Sequence, residues 1–282
     1  MTIGIAAICE KGTVVVGLSD RMITSRGIRI AELRQTKTTV IMPTIFIMTA
    51  GDTDVSSEVI TELQERVQSK TEWKVVEIGK LCQSILAEIQ ARKATTQVLA
   101  PFGLDTNSFI SRQAEMLPSF VEKLTDDIND LPLPAVELII TGIDSSGCHI
   151  FTVSDSTLAC KDKNGYAVIG IGSIHAEAEI LKAGWGKWVS AAAAIFICYM
   201  GKKSAEQAPS VGRNTDILFV HTDSYYLFPE HLVADLDIRY WKMKKKELKV
   251  KTTALEEWGE KVMNAQKQNE EKLTTTDNKE NV

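Results

Sequence analysis

Ile3-Gly4-Ile5-Ala6-Ala7-Ile8-Cys9-Glu10-Lys11-Gly12-Thr13-Val14-Val15-Val16-Gly17-Leu18-Ser19-Asp20 is two apolar, β-branched runs joined by a polar turn. It reads as a strand from Ile3 to Ile8, a turn at Lys11-Gly12, and a second strand from Thr13 to Leu18 that ends at Ser19-Asp20-Arg21. Further on, a loop around Ser25-Arg26-Gly27 leads to Ile28 to Ala31. Two more short strands, Thr38 to Met42 and Ile45 to Met48, are broken by Pro43. Ala50-Gly51-Asp52 then marks a change of period. From Ser56 the spacing of Val59, Ile60, Leu63 and Val67 predicts a helix, with Asp52, Asp54 or Ser56 as its candidate cap, and Ile78, Leu81, Cys82, Ile85 and Ile89 predict a second one over Val76 to Arg92. Residues 93–118 fit no single period. Phe120, Leu124 and Ile128 give a short helix, closed by Leu131-Pro132-Leu133-Pro134.

Strands return at Val136 to Ile143, His149 to Val153, Thr157 to Cys160 and Tyr166 to Ile171, with a hairpin turn at Asp144-Ser145-Ser146-Gly147. Ile174 to Tyr199 reads as one or two helices, bent near Gly184 and Gly186. Asp216 to His221 and Tyr225 to Phe228 close the series as strands. Segregated runs of strands and helices imply an α+β layered architecture, not a parallel βαβ wheel. The strand groups lie far apart in sequence and need each other's faces, so residues 1–235 are expected to form one domain. Residues 236–282 are expected to be a polar, partly helical or disordered tail, with a short helix near Leu255 to Met263.

The 282 residues are 44% hydrophobic and 24% charged, the balance of an ordinary globular protein. The longest apolar run, Val189 to Met200, is too short for a membrane span. The N-terminus has neither a basic segment nor a cleavage site, so no signal peptide is expected and the cytoplasm is the expected location. A net charge of −5 argues against a dedicated nucleic-acid binder. Five scattered cysteines without CxxC spacing suggest neither a disulfide framework nor a zinc site, so no metal or cofactor is expected. Four histidines, His149, His175, His221 and His231, leave few candidates for histidine-based catalysis. His221-Thr222-Asp223 has no strained serine motif beside it and reads as a strand end. Gly184-Trp185-Gly186-Lys187-Trp188 lacks phosphate-loop spacing and reads as a helix irregularity with two packed indoles.

Chemistry without histidine is available at Thr2. Its small side chain permits removal of Met1, which leaves a free α-amine beside a hydroxyl. The hydroxyl attacks, and an amine with a pKa of ~7.7–8.0 accepts its proton. Such a nucleophile needs a cation nearby, a carboxylate to orient that cation, and a backbone N–H for the oxyanion. Asp20 at a strand end, Lys37 before a strand, and Gly51 at a strand-to-helix junction offer these parts, beside their plainer roles as turn residue, solvated charge and cap.

Thr2-Ile3-Gly4-Ile5, Gly12 to Asp20, Gln35-Thr36-Lys37 and Thr49-Ala50-Gly51, in this order and spacing, resemble the N-terminal-nucleophile (Ntn) hydrolases. The likeness is to proteasome β subunits and the bacterial HslV-type peptidase, and extends over roughly residues 2–228. It implies a four-layer αββα sandwich of two antiparallel sheets flanked by helices. By the same resemblance Thr2 is the nucleophile of a threonine-type peptidase, Asp20 and Lys37 the charge pair, and Gly51 the oxyanion donor. Gly170-Ile171-Gly172-Ser173 matches a loop whose serine supports the amine, although Ser173 also suits a helix cap. The resemblance further implies a peptide or amide substrate and a homo-oligomer, with a ring and an ATPase partner left open.

Several positions depart from the family pattern. Ser210 matches a loop serine, but Gln207 stands where an Asp is expected, with Glu206 beside it. Asp52 replaces a second Gly and brings a carboxylate to the oxyanion region. Val98 to Met116 matches nothing and reads as an insertion. A divergent bacterial-type member is the expectation. A catalytically silent scaffold and an amidase acting on a small amide are the alternatives. The scaffold is disfavoured because only Met1 precedes Thr2.

Overall fold

The computed structural model describes residues 3–25, 28–32, 36–132 and 135–277. Two compact units divide the chain after Phe228, where the sequence places the boundary after residue 235. In the first unit β1 (Gly4–Cys9), β2 (Val14–Asp20), β3 (Met22–Ser25), β4 (Ile28–Glu32), β5 (Thr38–Met42) and β6 (Ile45–Gly51) precede α1 (Thr53–Val67) and α2 (Val75–Ala94). After α3 (Thr106–Arg112) and α4 (Pro118–Asn129) come β7 (Val136–Asp144), β8 (Gly147–Ser154), β9 (Thr157–Cys160) and β10 (Tyr166–Ile169). The unit closes with α5 (Ser173–Lys182), α6 (Ala191–Ala205), β11 (Thr215–His221) and β12 (Ser224–Leu227).

The strands form two five-stranded antiparallel sheets, ordered β10-β1-β2-β11-β12 and β5-β6-β7-β8-β9, and a separate ribbon β3-β4. Period two explains how they stack. On β6, Ile45 and Ile47 face a core shared with Val55, Val59 and Leu63 of α1 and Ile78 and Ile85 of α2. The alternate residues Phe46, Met48 and Ala50 face the other sheet, against Ala6, Ile8 and Val15. Phe46 is fully buried, which contributes about 1.5–3 kcal/mol. Its ring fits because Gly17 lies opposite, where a Cβ would come within 2.5 Å of it. The outer face of β1 and β2 is covered by α6, which packs against α5. Both strands are thus buried on two sides, which is why they read as continuous apolar runs and not as alternating ones. The layers are α1/α2, sheet, sheet and α5/α6, the four-layer αββα sandwich expected from the resemblance.

Three regions differ from the sequence reading. The 93–118 stretch leaves α2 through a π turn, Thr95–Leu99, because Pro101 and the left-handed Gly103 (φ 69°) stop further α-helix. It folds on its own small core of Val98, Leu99, Leu104, Phe109 and Leu124. Gly184 to Val189 is a loop between α5 and α6, started by Gly184 at φ 72°. Only one of its two indoles packs: Trp185 stands edge-on to Tyr166, and Trp188 is 71% exposed. The second unit is one helix, α7 (Glu230–Asp277), far longer than the expected turn or two near Leu255. Ion pairs one turn apart, Asp235–Arg239 and Glu247–Lys251, support it along an otherwise exposed surface. Among the described residues no helix is long and apolar enough to cross a membrane.

Candidate functional site

Asp20 ends the central strand β2, where β1 and β11 both begin, so two backbones and a loop converge on its carboxylate. It is 0% exposed. Its Oδ1 accepts from the Ile3 N–H at 3.0 Å and from Lys37 Nζ at 3.0 Å. Its Oδ2 accepts from the Met22 N–H at 3.1 Å and from the Gly212 N–H at 2.8 Å. Four donors to one buried carboxylate hold its orientation firmly, and the charge-assisted contact to Lys37 is the strongest kind of hydrogen bond available to it. Lys37 precedes β5 in the other sheet, and Thr38 beside it shares a hydroxyl hydrogen bond of 3.1 Å with Ser19. Two consecutive contacts, Ser19–Thr38 and Asp20–Lys37, therefore tie the sheets together at this end of the sandwich.

Gly51 ends β6, next to Lys37 through the Thr49 N–H, which donates to the Lys37 carbonyl at 3.1 Å. Its φ of 105° and a carbonyl from Ala135 only 1.8 Å from where a Cβ would sit make glycine obligatory. Asp52, expected both as a candidate helix cap and as a charge near this spot, is the N-cap of α1. Its Oδ1 accepts from the Asp54 N–H at 3.0 Å and the Val55 N–H at 3.1 Å.

Ser173 is the first residue of α5, but Gly172 holds the cap position and no side-chain cap forms. Among the described residues the Ser173 hydroxyl bonds neither Asp20 nor Lys37. The two loops still meet, because Gly172 lies against Val211, one residue before the Gly212 that binds Asp20. Ser210 is buried in that same loop, and Gln207 is exposed. Thr2 lies outside the described residues.

The sequence reading passed over Lys202, which is fully buried under this loop. Its Nζ donates to Glu206 Oε1 at 2.6 Å and to the Arg213 carbonyl at 2.6 Å. Burial pushes its pKa down, while Glu206 and Asp20 act in the opposite direction. Glu206 also takes Lys203 at 2.9 Å. The acidic group of the loop thus serves a buried lysine and pins the backbone that delivers the Gly212 N–H. The signal was present: Lys202 falls three and four residues after Tyr199 and Cys198, on the buried face of α6.

A second polar set lies at the β7–β8 hairpin. Ser146 Oγ is 2.9 Å from His149 Nε2, and His149 Nδ1 is 2.7 Å from Asp162. Ser146 also donates its hydroxyl proton to Asp144. Buried Cys9 and Cys82 and half-buried Cys148 are poor nucleophiles, since desolvation pushes the first two up to about 12 and Cys148 up to about 11. Among the described residues no three His, Cys, Asp or Glu side chains are grouped to hold a metal. Compared with protein-family models and with curated proteins, the chain matches none.

Proposed function

We propose that the chain is a threonine-type N-terminal-nucleophile amide hydrolase of proteasome-like kind, acting on peptides after loss of Met1. One observation carries the reading: a buried carboxylate, Asp20, holds both Lys37 and the Ile3 N–H, and that nitrogen is the one joined to Thr2 in the chain. In this reading Thr2 Oγ attacks the amide carbonyl while the α-amine takes the hydroxyl proton. The Gly51 N–H stabilises the oxyanion. The amine then returns the proton to the leaving nitrogen, the C–N bond breaks, and water hydrolyses the ester by the same route. In the same reading the Asp20–Lys37 pair supplies the cation that favours the neutral, proton-accepting form of the amine.

The test is turnover of peptide amides by Thr2→Ala protein. Activity is expected to vanish with the circular dichroism spectrum unchanged, and full activity in that variant would contradict the proposal. Assembly of copies belongs to the same reading. Trp241, Leu248, Leu255 and Val262 are exposed and recur every seven residues along α7, the spacing of a helix seam that pairs with another helix. Mass photometry is expected to find multiples of 31.1 kDa.

A further inference from the structure

A cavity of about 290 Å³ opens beside Lys37, between β5, β6 and α1. It is lined by hydroxyls: Thr39, Thr49, Thr53, Ser57 and Thr61, with Lys37 at one side. The composition is unusual for its place in the fold. The helix-facing side of β6 reads Ile45, Ile47, Thr49, so an apolar face turns polar at the cavity. On α1, Thr53, Ser57 and Thr61 are spaced by four and form one stripe down the helix.

The hydroxyls differ in what they have left to offer. Ser57 donates to the Thr53 carbonyl at 2.8 Å and Thr61 to the Ser57 carbonyl at 2.9 Å, so both keep only acceptor capacity. Among the described residues, Thr39, Thr49 and Thr53 hydroxyls have no hydrogen-bond partner and can donate or accept. Lys37 directs its ammonium to Asp20 at 3.0 Å. None of the described residues lining the cavity is acidic, so a cationic side chain finds no counter-ion there. Ile60 supplies one apolar wall.

We infer that this cavity receives the side chain of the residue whose carbonyl is attacked, and that it selects an uncharged hydrogen-bonding side chain, glutamine above all. The inference rests on the proposed hydrolase. Thr49 and Thr53 stand two residues either side of Gly51, so the cavity flanks the oxyanion donor. The side chain next to it belongs to the residue that bears the oxyanion. A carboxamide offers two donors and an acceptor to a wall of hydroxyls, and its methylenes rest against Ile60. An aliphatic chain of equal size leaves those hydroxyls dry and unpaired, which is what gives such sites their discrimination. At ~30 Å³ per water, the cavity has room on the order of ten waters, ample for glutamine.

The test uses the full chain and peptide anilides that differ only in the residue before the scissile amide: Gln, Leu, Arg or Glu. The kcat/KM for Gln is expected to exceed that for Leu by about tenfold or more, with Arg and Glu lower still. Thr49→Val, which keeps shape and removes a hydroxyl, is expected to cut the Gln-to-Leu ratio about fivefold or more. A peptide epoxyketone mapped by mass spectrometry runs in parallel. If Thr2 is labelled and Leu, Arg or Glu is preferred, the inference is overturned and the hydrolase stands. If Thr2 is not labelled and none of the four is cleaved, the hydrolase is overturned and takes the inference with it.

Discussion

Two polar sets in this molecule have the connectivity of catalysis, and they differ in almost every other respect. Asp20 is sealed at the end of a central strand and takes four donors, including Lys37. Ser146, His149 and Asp162 form a serine–histidine–aspartate chain at a hairpin, where the His149 and Asp162 side chains are 22% and 29% exposed. Ser146 has one hydroxyl proton for two acceptors, Asp144 and His149. Ser146 is exposed and gives its one proton to Asp144, so this set is a hairpin clasp whose relay water screens, although a cavity of about 530 Å³ adjoins Asp144 and Ser145. The Asp20 set has the opposite qualities: it is sealed, takes four donors and is fixed from two sheets. Connectivity alone does not identify a site. Burial and donor count separate the two, since a cavity adjoins each.

The largest effect that sharpens this contrast is expected at Asp20. Asp20→Ala leaves Lys37 and three backbone amides, of Ile3, Met22 and Gly212, without their acceptor, and is expected to cost about 3–5 kcal/mol in urea unfolding. Asp162→Ala, in the exposed set, leaves His149 and the Ile150 N–H without their acceptor and is expected to cost less, about 1–3 kcal/mol. Equal losses would break the comparison. Next in size is Gly51→Ala. The forced left-handed φ alone is worth about 1–3 kcal/mol, and the clash with Ala135 adds to it, so turnover and the urea midpoint are both expected to fall.

A pH effect follows from Lys202. Its folded pKa lies below the ordinary lysine value because of burial. Between that folded pKa and about 10.4, the unfolded chain holds a proton there that the folded chain has lost. Stability from this group therefore rises with pH through the window and is lowest, and flat, below the folded value. Urea midpoints measured from pH 7 upward are expected to show this rise in wild-type protein and to lose it in Lys202→Met. The smallest effect is assigned to the hairpin. Ser146→Ala and His149→Ala are expected to leave peptide turnover within about twofold, and a loss of a hundredfold in either would move the active site there.

Much of this was legible in the sequence because strand ends advertise themselves. Asp20, Lys37 and Gly51 stand where apolar runs stop, and a polar residue at such a point has few places to go except the rim of a sheet. Their meeting across two sheets was not legible from period alone and came from the resemblance. Lys202 was hidden because a single lysine in an apolar helix reads as solvent-facing until the face is assigned. His149 and Asp162 were hidden because their contact joins a strand to the turn after the next strand. The apolar-poor composition of α7 suggested a loose tail, since apolar pattern is what a sequence reading weighs, while helix propensity and turn-spaced ion pairs carry this helix. Asp52 was legible as one of three candidate caps of α1, and the structure assigns the cap to it over Asp54 and Ser56.

The most direct measurement is the site of covalent attachment of a peptide epoxyketone to the intact protein, mapped by peptide mass spectrometry, in wild-type and Lys37→Ala chains. The account predicts a single adduct on Thr2 of a chain that has lost Met1, and little or none when Lys37 is removed. Retention of Met1 throughout, or an adduct on Ser146 with Thr2 untouched, would contradict it.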